Sequence, residues 1–174
     1  MSKKSTISII LTTAAVAAAG YYIFSRKSKP KEMTNNMGNK NLPRGYRNNN
    51  PLNIRLNSAN NWQGKVLPNT DGVFEQFSSM EYGYRAALRL IQNYIKAGNT
   101  TITQIISKWA PNNENNTAGY ISRVCSTLDA LPATVIEAND KQAMCKLVYA
   151  MAIVENGNTP LPSIEQIYDG WNLI

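Results

Sequence analysis

The chain has 174 residues, enough for one ordinary domain plus an appendage, and its formal charge of +7 is unevenly spread. Met1 to Arg47 carries +8 and the remainder −1, so the globular part has no basic excess for a phosphate backbone, and a nucleic-acid partner is not expected. Histidine is absent, which excludes Ser-His-Asp and Cys-His catalysis and argues against the usual zinc hydrolase sites; neither a metal nor a cofactor is expected, and an enzyme of this composition would move protons with carboxylates.

After Lys3 and Lys4, Ser5 to Ser25 is uncharged and long enough to span a bilayer. Tyr21, Tyr22 and Phe24 sit where interfacial aromatics belong, and Arg26, Lys27, Lys29 and Lys31 follow. These features predict an N-terminal transmembrane helix over residues 1–27. A single-pass membrane localisation in virion or host would make the lipid bilayer a partner. The competing reading is a secretory signal cleaved after Ala17-Ala18-Ala19, against which the apolar run continues through Tyr21 to Phe24. Residues 28–44 read as a flexible polar tether, and the folded domain spans 45–174.

Leu52-Asn53-Ile54-Arg55 and Val73 to Phe77 read as two short strands of an antiparallel hairpin, joined by a long loop that closes at Asp71-Gly72. Helices follow. Ser78 with Glu81 forms a capping box ahead of a stripe from Tyr84 to Ile95 that stops at Gly98, and Thr101 with Gln104 forms another ahead of Ile102 to Trp109. Thr117 is the expected N-cap of a helix through Tyr120, Ile121, Val124 and Leu128, broken by Pro132. Ser163 with Gln166 caps a last helix expected to stop at Gly170. The predicted fold class is α+β, mainly helical, with one small hairpin. Cys125 and Cys145 fall on apolar helix faces and read as core thiols.

The segment from Asp140 to Gly157 carries the strongest chemical signal. Met144, Leu147, Val148, Met151 and Ala152 recur at helical spacing, and Glu155 falls four residues after Met151 on the same stripe, so it points inward. Gly157 is the helix stop. A carboxylate in that position loses solvation and meets the negative end of the helix; both raise its pKa, as a general acid requires. The competing reading is a solvated last-turn glutamate.

RGYRNNNPLNIR, then Trp62-Gln63-Gly64, FEQF, EYGYRAALRLIQNYI and KWAPNNENNTAGYISRV together resemble the lysozyme-like cell-wall-degrading proteins of bacteriophages, in particular virion-associated muralytic or lytic transglycosylase proteins. The likeness runs from about Gly45 to Arg123. It implies a lysozyme-like domain and cleavage of the β-1,4 glycan strand of peptidoglycan, in host lysis or entry. In that family the catalytic glutamate ends a helix before the hairpin. Here the nearest likeness, AMAIVENG, follows the helices that such a helix normally precedes, which implies a circular permutation with Glu155 as the acid.

On this resemblance Glu155 is catalytic, with Glu114 of the Asn-rich loop as the alternative. Tyr120 is its hydrogen-bond partner or a packed first-turn residue. Asn53 and Arg55 line the groove or serve a strand edge, and Trp62 and Trp171 stack on sugars or belong to the core. Asp71, Glu75, Glu81 and Glu114 are the candidates for a second carboxylate. The alternative function is a non-enzymatic membrane-associated virion structural protein built on the same scaffold.

Overall fold

Six α-helices carry the regular structure of residues 36, 37, 39–112, 116–158 and 160–174, the ones described in a computed structural model. They are α1 (Arg44–Arg47), α2 (Met80–Lys96), α3 (Ile102–Trp109), α4 (Thr117–Leu128), α5 (Lys141–Asn156) and α6 (Ile164–Asn172). All belong to one unit, Asn35–Ile174. Ordered contacts begin before Gly45: Leu42 packs on the core and the Asn36 side chain donates to Asn49 Oδ1 at 3.4 Å.

α5 is the centre. Met144, Cys145, Leu147, Val148, Ala150, Met151 and Ala152 are all fully buried, so the helix is covered almost all round rather than along one stripe. Helices α2, α4 and α6 pack against it. Its N-cap is Asp140, which accepts from the Ala143 N–H at 2.9 Å. Against α2, α6 approaches closely at Gly170, where a Cβ would lie 2.8 Å from the Glu81 carbonyl oxygen. That close approach explains the glycine; the helix does not stop there but continues to Asn172.

The expected α+β class is corrected. Among the described residues there is no strand or sheet, only the isolated antiparallel bridges Arg55 with Phe74, Lys65 with Phe77, and Thr101 with Val135. The physical reason lies in the asparagines. Asn49 and Asn53 adopt φ of 50° and 49°, which interrupts any extended run. Fully buried Asn50 then substitutes its side chain for ladder bonds. It accepts from the Ile54 N–H and donates to the carbonyls of Ile54 and Glu75, each at 2.9 Å. Segments 54–56 and 73–75 are left sharing two backbone bonds, Leu56 N–H to Val73 O and Glu75 N–H to Ile54 O, both 2.9 Å.

The membrane reading is corrected too. Among the described residues no helix is long and apolar enough to cross a membrane. The Ser5 to Ser25 run on which it was expected lies outside the described residues.

Two caps are as expected: the Thr101 and Gln104 capping box and Ser163 accepting from the Gln166 N–H. Two differ. Helix α2 starts after Ser79, without a side-chain cap, because the Ser78 N–H donates to the Gly64 carbonyl and Glu81 accepts from Gln166 on α6. Helix α4 is capped by Asn116, while the Thr117 hydroxyl donates to the Ala110 carbonyl and ties the start of α4 to the end of α3. Cys125 and Cys145 are buried free thiols.

Candidate active site

Helix α5 ends where its sequence predicts. Gly157, at φ 78°, takes the turn, and its N–H donates to the Ile153 carbonyl. Asn156 pins this end to the asparagine-rich segment: its side-chain amide donates to the Pro51 carbonyl at 2.6 Å and to the Ala152 carbonyl at 3.0 Å. Gly45 in α1 is required at this junction, since a Cβ there would overlap Asn156 Oδ1 and come within 3.0 Å of the Asn50 carbonyl. Sequence and packing thus fix Glu155 against the residues that follow Pro51.

Three donors from three segments converge on the Glu155 carboxyl. Oε1 accepts from the Tyr120 hydroxyl at 3.0 Å and the Trp109 indole N–H at 3.2 Å; Oε2 accepts from Asn53 Nδ2 at 3.0 Å. The group lines a cleft of about 350 Å³ whose polar side is Asn53, Arg55 and Glu155 and whose apolar walls include Phe74, Tyr94 and Trp109. Trp109 is held edge-on to Tyr94, ring centroids 6.4 Å apart.

Burial raises the Glu155 pKa above its ordinary value, and the hydrogen bonds from Asn53, Tyr120 and Trp109 pull it the other way without cancelling the effect. Burial, reinforced by the neighbouring Glu155 charge, holds the Tyr120 hydroxyl well above its usual range, so it stays a neutral donor. The arrangement can therefore keep a proton to higher pH than a solvated glutamate and stabilise the carboxylate after the proton leaves.

The cleft wall is braced from outside. The Arg44 guanidinium meets Asp71 through two bonds of 2.8 and 2.7 Å and stacks over Phe74, 4.6 Å from the ring centroid. Burial on its own would raise the Asp71 pKa, but hydrogen bonds from Arg44, Asn48 and the N–H groups of Phe74 and Val73 outweigh it and hold the carboxyl well below its ordinary value. Glu75 is fully buried and paired with Lys65 at 3.1 Å. Lys65 also donates to the carbonyls of Asn57 and Asn60, stapling the long loop.

Of the residues singled out from sequence, Glu155, Asn53 and Tyr120 are joined by hydrogen bonds, and the exposed Arg55 lines the same cleft. Trp62 is not among the lining residues; it and Trp171 pack against the core. Glu114 lies outside the described residues. Asp71, Glu75 and Glu81 are bonded to Arg44, Lys65 and Gln166, and none of the three lines the cleft. Trp109 is the residue that sequence reasoning placed only in a helical stripe. The available signal was its position as the last residue of α3 before Pro111, where an indole N–H in a half-buried setting needs an acceptor.

By fold and site, the described part of the chain is an α-helical domain organised on one partly buried glutamate. No family model matches the chain. It belongs to the family of Protein P5 of Pseudoalteromonas phage PM2, to which it is 37% identical over 123 residues, covering 67% of this chain and 73% of that protein.

Proposed function

We propose that this domain cleaves the β-1,4 bond between N-acetylmuramic acid and N-acetylglucosamine in peptidoglycan, in the manner of a lytic transglycosylase, with Glu155 as the proton carrier. The observation that carries the reading is the Glu155 carboxyl, desolvated at a helix C-terminus, held by three neutral donors and lining a cleft with Asn53 and Arg55. Protonated Glu155 gives its proton to the glycosidic oxygen as the C1–O bond breaks and the bonding pair leaves with that oxygen. The carboxylate then takes the proton of the muramic 6-hydroxyl while O6 bonds to C1. The product is a 1,6-anhydro end, Glu155 is protonated again, and no water is consumed.

A hydrolase normally uses two carboxylates flanking the bond. Among the described residues that line this cleft Glu155 is the one acid, which favours the single-carboxylate route. Kinship with a phage protein supports a peptidoglycan target, since the wall is a barrier a phage crosses to enter or leave its host. Turbidity loss of purified peptidoglycan treated with the full chain tests the reading, with Glu155→Gln alongside and product masses read for anhydro ends. Activity that survives Glu155→Gln would remove the assignment. A folded protein inactive on walls of its natural host would instead favour a non-enzymatic virion component.

A further inference from the structure

The two oxygens of Glu155 are not equivalent. Oε1 receives two donors, from Trp109 and Tyr120, as many as its two lone pairs can take; Oε2 receives one, from Asn53, and keeps a lone pair free of these donors. Tyr120 alone would not enforce this difference. A hydroxyl rotates, and the Met151 carbonyl lies 3.5 Å away as a second acceptor, so Tyr120 could turn and let Oε1 carry the proton. Trp109 cannot turn its role around, because an indole N–H only donates, and its ring is buttressed by Tyr94.

We infer that Trp109 is a positioning residue, which with Tyr120 saturates Oε1 and so fixes Oε2 as the oxygen that bears and transfers the proton. The hydrogen-bond arrangement stands by itself; its catalytic meaning rests on the proposed reaction. Among the described residues the titratable and charged groups facing the site are Tyr120 from α4, Tyr94 from α2 and Arg55 from the segment after α1, while the end of α3 presents Trp109, followed by Ala110. Burial raises both tyrosines above their usual range, so neither changes charge while the carboxyl titrates.

The test is a pH titration of the full chain followed in parallel at the tryptophan indole ¹⁵N–¹H resonances and the Glu155 carboxyl carbon. The Trp109 resonance, assigned by its loss in Trp109→Phe, is expected to shift with the same midpoint as the Glu155 carbon and to stop titrating in Glu155→Gln. Trp109→Phe is expected to move the Glu155 midpoint upward, since the ionised form loses a donor, and to carry the pH profile of glycan cleavage the same way. A Trp109 indole indifferent to pH and to Glu155→Gln overturns the inference; the wild-type titration decides this even if Trp109→Phe folds poorly. Co-titration in a protein that cleaves no glycan would keep the hydrogen-bond assignment and remove the reaction. Cleavage abolished by Glu155→Gln, with an indole that does not titrate, would do the reverse.

Discussion

Asn53 donates to Glu155 across 102 positions of sequence, at 3.0 Å, and it does so from a left-handed backbone with φ of 49°. That conformation, which asparagine and aspartate tolerate better than most residues, coincides with the bend that brings the side chain to the end of α5. Asn53→Asp keeps the shape and the tolerance for this backbone but sets a second carboxylate against the first. We expect the Glu155 pKa to rise further and glycan cleavage to fall. Stability above the carboxylate range should drop by about 1–3 kcal/mol for the lost donor and the added repulsion. Urea unfolding at several pH values reads the stability, and a pH profile reads the pKa; an unchanged profile would contradict the proton-carrier assignment.

Replacing the acid itself separates chemistry from stability. Glu155→Gln should lower glycan cleavage by roughly 10²- to 10⁴-fold, the usual contribution of a general acid or base. Because burial raises the folded-state pKa of Glu155, the folded protein holds this proton more tightly than the unfolded chain does. The associated stability is fully present below the ordinary 4.5 and declines as pH rises from there through the raised folded value. Glu155→Gln should abolish that decline, which equilibrium unfolding across the window would reveal.

Tyr120→Phe preserves a buried ring and removes one donor. A hydrogen bond to a charged group contributes about 1.5–3 kcal/mol, so cleavage should fall roughly 10- to 100-fold if that bond is made in the transition state. The midpoint for ionising Glu155 should move up. A wild-type kcat and pH profile would show that the bond has no part in the chemistry.

Asp71 gives the opposite linkage. Its pKa is depressed by Arg44, Asn48 and two backbone N–H groups, so its contribution is present above the ordinary 3.8 and is lost as pH falls below that value towards the folded one. Asp71→Asn should cost about 1–3 kcal/mol at neutral pH and little once the unfolded carboxyl is protonated. Thermal melts at neutral and acidic pH would test this, since a difference that persists in acid has another cause.

Gly45→Ala tests the junction that seats α5. The added methyl would meet Asn156 Oδ1 and the Asn50 carbonyl, so we expect about 1–3 kcal/mol of destabilisation from overpacking. Gly72→Ala is the contrast: φ is 77° but nothing lies within 4 Å, so only backbone strain of about 1–2 kcal/mol applies. Loss of Glu155 titration behaviour should accompany the first variant and not the second.

Helix α5 and the inward turn of Glu155 were legible in the sequence because apolar spacing and a terminal glycine report directly on burial and helix ends. The Thr101 and Gln104 capping box was legible because it is closed within four residues. The absence of strands between Leu52 and Phe77 was not. Leu52 to Arg55 alternates like a strand, yet whether Asn50 lends its side chain to Ile54 and Glu75 depends on how a distant segment docks. Gly170 misled for a related reason: a glycine that ends a helix and one that lets two helices touch look alike until α2 is in place. Trp109 escaped notice as a site residue because its partner on α5 lies 46 positions away, and no local pattern encodes that meeting.

The three donors to Glu155 come from the segment after α1, from α3 and from α4, and the acid sits on α5. None of these segments can recreate the carboxyl's surroundings alone. A form with any one undocked returns Glu155 towards an ordinary solvated glutamate. On the proposed reading the protein therefore has no half-active intermediate, and heat inactivation and the cooperative loss of the fold should be a single event.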